Sequence, residues 1–173
     1  MYGTMAFFSF LDDSSDITRL FARDQVRYGP VRELWRNIMR GPSRFTEAER
    51  ELMAAFVSRL NQCQFCAQGH TVRAAERGFD VAVLEGLVAD IDAAVISDRL
   101  KPMFRFMKKL TVEPSRMVEA EVQAVYDAGW DETALVDAIV LCAYFNMVNR
   151  IADGHGLKAV PPESLRETET DPS

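Results

Sequence analysis

Apolar side chains recur at three- and four-residue intervals along most of the chain, and the strict alternation of a half-buried strand is sustained nowhere. The pattern predicts an all-helical protein. Helical spacing runs from Asp16 to Arg40, with an interruption expected at Gly29-Pro30, because proline cannot donate the helical hydrogen bond. Gly41-Pro42-Ser43 is a break. Thr46-Glu47-Ala48-Glu49 has the form of a capping box, in which Thr46 and Glu49 satisfy each other's backbone N–H groups, and a helix should run from there to about Leu60. Asn61-Gln62 reads as a kink or a helix end. The next helix should begin near Cys63 and stop at Gly78, which accepts the left-handed conformation that closes a helix. Asp80 can cap a short helix through about Ala89, and another covers roughly Arg99 to Leu110 with Pro102 in its first turn. Pro114-Ser115 opens one that ends at Gly129. Asp131 caps the last, Glu132 to about Asp153, with Gly154 as its stop.

The last helix is nearly encircled by Leu135, Val136, Ile139, Val140, Cys142, Ala143, Phe145, Met147 and Val148. Such a helix must be buried on all sides, so it is either central or part of a subunit interface. Its apolar stretch, Ala134 to Val148, is interrupted by Asp137 and Asn146 and falls short of the ~20 residues of a membrane span, so no transmembrane segment is expected. The N-terminal run through Asp13 has no basic region and is a poor secretory leader, which makes the cytoplasm the expected compartment. With 173 residues the chain suits one domain. The helical domain is placed at 28–156, preceded by an arm and the start of the first helices at 1–27. A polar, Pro- and Glu-rich tail at 157–173 is expected to be disordered. The net charge of −6, with both signs interspersed, disfavours nucleic acid and anionic membrane as partners.

Three cysteines are too few and too odd for a secreted disulfide framework, and a Cys-x-x-Cys pair in a reducing compartment points to catalysis or metal. If Cys63 to Arg77 is helical, Cys63, Cys66, Ala67, His70 and Ala74 share one face, with Cys63 in the first turn where the helix dipole favours a thiolate. The preceding helix carries Leu52, Met53, Phe56, Val57 and Leu60 on one side and Glu51, Ala54, Ala55 and Ser58 on the other. The small face admits a neighbouring helix and would enclose Glu51, raising its pKa into a useful range; the plainer alternative is a solvated glutamate. His70 follows Cys66 by four residues, about 6 Å of rise, but Cys63 by seven, about 10.5 Å, so an imidazole base would serve Cys66. A zinc site of Glu51, Cys63, Cys66 and His70 is the rival chemistry, weakened by the lack of a second ligand pair, and two structural thiols are the remaining alternative. Cys142 reads as a small core hydrophobe, His155 as loop, and Met103, Phe104, Phe106 and Met107 as core. Asn146, Asn149, Arg150 and Asp153 could line the active site or hold a subunit interface, with structural hydrogen bonding the favoured reading, and Lys108-Lys109 reads as a solvated helix end.

The spacing Glu51-x11-Cys63-x2-Cys66-x3-His70 resembles the signature of the AhpD-like alkylhydroperoxidases in the carboxymuconolactone decarboxylase superfamily. Glu49-Arg50-Glu51-Leu52, Val57-Ser58-x-Leu60-Asn61-x-Cys63 and Phe145-Asn146-x-x-Asn149-Arg150-x-x-Asp153-Gly154 resemble its peroxidase-related branch. The resemblance implies an all-helical homo-oligomer (dimer, trimer or hexamer) working as a thiol peroxidase without cofactor. Cys66 would attack a small hydroperoxide and become a sulfenic acid, Cys63 would resolve it to a disulfide and meet the external reductant, and Glu51 and His70 would relay protons. A dithiol or protein reductant would then restore the thiols. The chain departs from well-studied members in having Phe65 and Ala67 where they carry a histidine between or just after the cysteines. The alternatives are a thiol–disulfide oxidoreductase or another small-molecule enzyme of the superfamily, and a non-enzymatic metal-binding or redox-sensing oligomer. The superfamily's decarboxylase chemistry needs no cysteine pair, so retention of both argues against it.

Overall fold

The computed structural model describes residues 7–159, all of whose regular structure is helical. Of the tail placed at 157–173, residues 160–173 lie outside the described residues, as does the start of the N-terminal arm, while Leu157 is buried and Lys158 pairs with Asp13. Helices α1 (Ile17–Arg23) and α2 (Gln25–Arg40) are capped by Asp16 and Asp24, whose carboxylates accept from the N–H groups of Arg19 and Arg27. The interruption therefore falls at Asp24 and not at Gly29-Pro30: Pro30 lies inside α2. The carbonyl that Pro30 leaves unbonded belongs to Val26, a residue 91% exposed, so solvent can satisfy it.

Helix α3 (Glu47–Leu60) starts with the expected capping box: Thr46 Oγ1 accepts from Glu49 N–H at 3.2 Å and Thr46 N–H donates to Glu49 Oε2 at 2.8 Å. Then follow α4 (Gln64–Glu76), α5 (Val81–Ala89) and α6 (Leu100–Val112), the last with Pro102 in its first turn as read from the sequence. The helix expected from Pro114 is divided. Pro114–Arg116 makes only a 3-10 turn, and α7 (Glu119–Asp127) begins where the Glu121 carboxylate accepts from Val118 N–H. Helix α8 (Glu132–Gly154) is capped by Asp131 but runs through Gly154. Its stop is Gly156, at φ 71°, where Gly156 and Leu157 N–H groups bond back to Asp153 and Ala152 carbonyls.

The central helix is α3. Every residue from Arg50 to Ser58 is buried, and α3 packs against α4, α8, α6 and α5, most extensively against α4. Ala54 and Ala55 permit the close approach, and Phe56 meets Phe104 of α6 edge-on at 5.0 Å. Met103, Phe104, Phe106 and Met107 are all core, as expected. Cys142 is fully buried beside Thr111 Oγ1 at 3.2 Å, and burial pushes its thiol pKa up, which keeps it unreactive. Lys109 is not simply solvated: it is half-buried and pairs with Glu121.

Helix α8 is long and apolar enough to cross a membrane, by length and composition only, and half of that window is buried inside the fold. One side contributes Leu135, Leu141, Phe145 and Val148 to the core; the other leaves Val136, Ile139, Val140 and Met147 exposed. This stripe is where a second copy of the chain is expected to pack. Light scattering should give an oligomer at micromolar concentration, and a strict monomer would count against that expectation.

Candidate active site

The turn between α3 and α4 sets the position of the two sulfurs. Asn61 ends α3, and Gln62 takes the left-handed conformation at φ 60°. Gln62 N–H then bonds Arg59 O and Cys63 N–H bonds Ser58 O, each at 3.0 Å, the double closure of a Schellman motif. A non-glycine residue there costs about 1–2 kcal/mol. The Asn61 carboxamide helps offset this by donating to Asn149 Oδ1 at 2.9 Å and Asn146 Oδ1 at 3.2 Å, which ties the turn to α8.

Because the left-handed residue comes directly before it, Cys63 is extended (φ −78°, ψ 96°) and caps α4 instead of lying in its first turn. The first-turn cysteine is Cys66, the third residue of α4, so the unpaired N–H groups and dipole favour the Cys66 thiolate, reversing the sequence expectation for Cys63. The Cys66 thiol is held below the ordinary range chiefly because the Cys63 thiol hydrogen-bonds it; burial opposes this, and hydrogen bonding to the Asn149 carboxamide adds to it. The same bond to Cys66, then burial, then the Asp153 carboxylate push the Cys63 thiol far up. Asn149 is itself fully buried, with Nδ2 donating to Ser58 Oγ at 3.0 Å and Ser58 Oγ passing a hydrogen bond on to Ala54 O. Tyr144, a buried phenol near Cys66, is kept protonated by burial and by the charge of Cys66.

Cys63 has no exposed surface, whereas Cys66 retains 5%. Cys66 is therefore the sulfur nearer to solvent. The extended cap conformation tucks Cys63 under the turn.

Glu51 and His70 form a second cluster. Glu51 is wholly buried, with Oε2 2.6 Å from His70 Nδ1 and Oε1 2.7 Å from Arg40 Nη2. Burial alone would raise its carboxyl pKa, but the His70 bond and the Arg40 cation outweigh it and lower it to about 2. The raised pKa expected from enclosure is thus overturned, first by His70 and then by Arg40, a cation that no sequence signal points to. Arg40 is the last residue of α2, also lying over the Trp35 ring, and nothing in the α2 pattern marks it as the partner of an acid eleven residues on. Burial, opposed by the Glu51 bond, pushes the His70 pKa down. A neutral imidazole facing an ionised carboxylate must place its proton on Nδ1, which leaves Nε2 free as an acceptor. The His70 ring packs edge-on against Phe145 at 4.6 Å. The two clusters stay distinct in their direct bonds: His70 Nδ1 is taken by Glu51.

His155 is outside the site, with Nδ1 at 2.7 Å from Ile151 O and Phe8 against its ring. Arg150 bonds the Asn146 carbonyl on its own helix. Among the described residues, no three His, Cys, Asp or Glu side chains come together as a potential metal site. Asn149, Asp153 and Arg40 are the site groups that sequence reasoning did not assign. The first two were visible as polar positions on an apolar helix.

Residues 30–109 match the carboxymuconolactone decarboxylase family, and AhpD-type structures share the fold. The match spans somewhat less than half of the chain and shows a similarity to that family. Among solved structures, a peroxidase-related protein from Silicibacter sp. TM1040 is 24% identical, with a TM-score of 0.76 over 82% of this chain and 74% of that one. An AhpD-core peroxidase-related protein from Ralstonia eutropha JMP134 is 21% identical, with a TM-score of 0.77 over 83% and 76%. The Bacillus subtilis (strain 168) protein YdfG, described as uncharacterized, is 28% identical over 117 residues, 68% of this chain and 80% of YdfG. The superfamily match includes Glu51, Cys63, Cys66 and His70; Asn149 and Asp153 lie beyond it on α8.

Proposed function

We propose that this chain is a thiol-dependent peroxidase that reduces small organic hydroperoxides with Cys66 and regenerates through a Cys63–Cys66 disulfide. The observation that carries this reading is the pair itself: Cys66 in the first turn of α4, three residues after the cap Cys63, with Cys63 the main influence that holds the Cys66 thiol pKa down. Such an arrangement stabilises a thiolate, the reacting form of cysteine. In the proposed reaction the Cys66 thiolate attacks the terminal peroxide oxygen, the O–O bond breaks, and the alkoxide leaves as an alcohol after protonation. Cys66 becomes a sulfenic acid. Cys63 then displaces its oxygen as water, forming the disulfide.

Glu51, ionised and pinned by Arg40, fixes the His70 tautomer, and His70 Nε2 handles the proton of the Cys66 thiol, across a solvent molecule where needed. A small dithiol or a protein dithiol reduces the disulfide by exchange at Cys66. No cofactor enters these steps. The compartment this chemistry suits is a reducing one, the cytoplasm.

The test is turnover. Reduced protein should consume cumene or tert-butyl hydroperoxide catalytically with dithiothreitol. Protein that reduces a disulfide substrate but no hydroperoxide would replace this reading with a thiol–disulfide oxidoreductase.

A further inference from the structure

We infer that Asn61 is a positioning residue for the Cys63–Cys66 pair: its carboxamide holds the left-handed turn at Gln62, and that turn sets Cys63 where it can close on Cys66. The inference rests on reading the two sulfurs as a redox pair, though not on peroxide being the oxidant.

A disulfide needs Cβ atoms about 3.5–4.5 Å apart. Residues three apart inside a helix keep theirs about 5–6 Å apart. Had α3 run on through Cys63 into α4, the pair would be held open. The structure breaks the helix directly before Cys63. Gln62 stands at φ 60°, and Cys63 is extended at the cap of α4, with Cys66 third in that helix. Thr46 and Glu49 occupy the same two positions at the start of α3. There the side chains meet, with Thr46 Oγ1 donating to Glu49 Oε2 at 3.0 Å. The cap position thus brings a side chain onto that of the third residue.

Gln62 does not hold this turn by itself. It is exposed and, unlike glycine, resists a positive φ. Asn61 supplies the hold: its Nδ2 donates to Asn149 Oδ1 at 2.9 Å and to Asn146 Oδ1 at 3.2 Å. Both acceptors are aimed by other bonds. Asn149 Nδ2 donates to Ser58 Oγ at 3.0 Å, and the Ser58 proton goes to Ala54 O. Asn146 Nδ2 donates to Cys142 O at 3.0 Å. The two oxygens therefore converge on position 61 from neighbouring turns of α8, and one NH₂ group with two protons satisfies both. Ser58 also ties the turn to this network, because its carbonyl accepts the Cys63 N–H.

The test is the reaction of the reduced full-length protein with 5,5′-dithiobis(2-nitrobenzoate), followed by stopped flow. The Cys66 thiolate attacks the reagent, forms a mixed disulfide and releases one coloured thiolate. Cys63 then loses its proton to solvent, attacks the Cys66 sulfur and releases the second. Two protein thiols are oxidised as the S–S bond of the reagent is reduced. In Asn61→Ala the first release should stay near the unaltered rate, because Cys66 and its helix are untouched. The second should slow about tenfold, the worth of roughly one well-made hydrogen bond. Glycine takes a positive φ without steric cost, so adding Gln62→Gly to Asn61→Ala should restore most of the second rate. Gln62→Val, at an exposed side chain with the clamp intact, should slow the second release alone, because a β-branched residue resists that conformation. The role of Asn61 is overturned by a second release in Asn61→Ala as fast as in the unaltered protein, by a loss that Gln62→Gly does not restore, by both releases slowing together, or by a second release that Gln62→Val leaves unchanged. If the unaltered protein gives only the first release, the redox-pair reading itself fails, and with it this inference.

Discussion

Cys66→Ser should abolish the first peroxide turnover, while Cys63→Ser should keep it and accumulate a sulfenic acid on Cys66. The two substitutions are chemically identical and three residues apart, so the difference isolates the roles. Only Cys66 combines the first-turn position, a hydrogen bond from the Asn149 carboxamide and some exposure. Cys63 caps the helix and is sealed from solvent. Serine at 66 has no accessible alkoxide, so the loss should reach the detection limit. Serine at 63 still donates an O–H to the Cys66 sulfur, so the first step should fall less than about tenfold, the effect of roughly one hydrogen bond. Trapping with dimedone and intact mass reads the sulfenic acid. Dimedone labelling in Cys66→Ser, and none in Cys63→Ser, would reverse the roles.

Arg40→Met should destabilise the protein by about 3 kcal/mol. It strips the cation from Glu51, and breaking one side of a buried ion pair typically costs about 3–5 kcal/mol. The lower end applies because Arg40 is partly open to solvent while Glu51 is not. For a chain of this length the melting temperature should drop by roughly 6–12 °C. Combining Arg40→Met with Glu51→Gln should recover much of the loss, since no uncompensated charge then remains buried. An unchanged melting temperature in the single variant would mean that the pair contributes nothing. The acid dependence has a definite sign. Glu51 is lowered from 4.5 to about 2 on folding, so its stabilisation is full above about pH 4.5 and is lost as the pH falls toward 2. His70 is also lowered, from 6.5, so the unfolded chain takes up its proton first and stability starts to fall below that pH. Both act in one direction. Removing Arg40 should move the carboxylate part of the loss to higher pH.

Much of this was legible in the pattern of residues, and the misses have particular causes. The capping box at Thr46, the stops at Gly78 and Gly129 and the caps at Asp80 and Asp131 are local signals, and they operate as local chemistry predicts. The left-handed turn at Gln62 was hidden because its residue is not glycine; it is held by the Asn61 clamp to α8, a contact distant in sequence. That one residue moved Cys63 out of the first turn and exchanged the electrostatic roles of the sulfurs. Glu51 and His70 were read as partners, and they meet. The direction of the Glu51 shift was missed because the His70 bond outweighs burial, a balance that spacing does not reveal, and because Arg40 adds to it from another helix. Asn149 and Asp153 were visible as polar positions on α8, but which sulfur each would face depended on how α8 packs against the α3–α4 turn.

The most direct measurement is thiol mapping after one equivalent of tert-butyl hydroperoxide is added to the fully reduced protein without reductant. The account predicts loss of two thiols per chain, a single intrachain Cys63–Cys66 linkage in the peptide map, and Cys142 free and alkylated only after unfolding. Unchanged peroxide with all three thiols intact, or a linkage that includes Cys142, would contradict it.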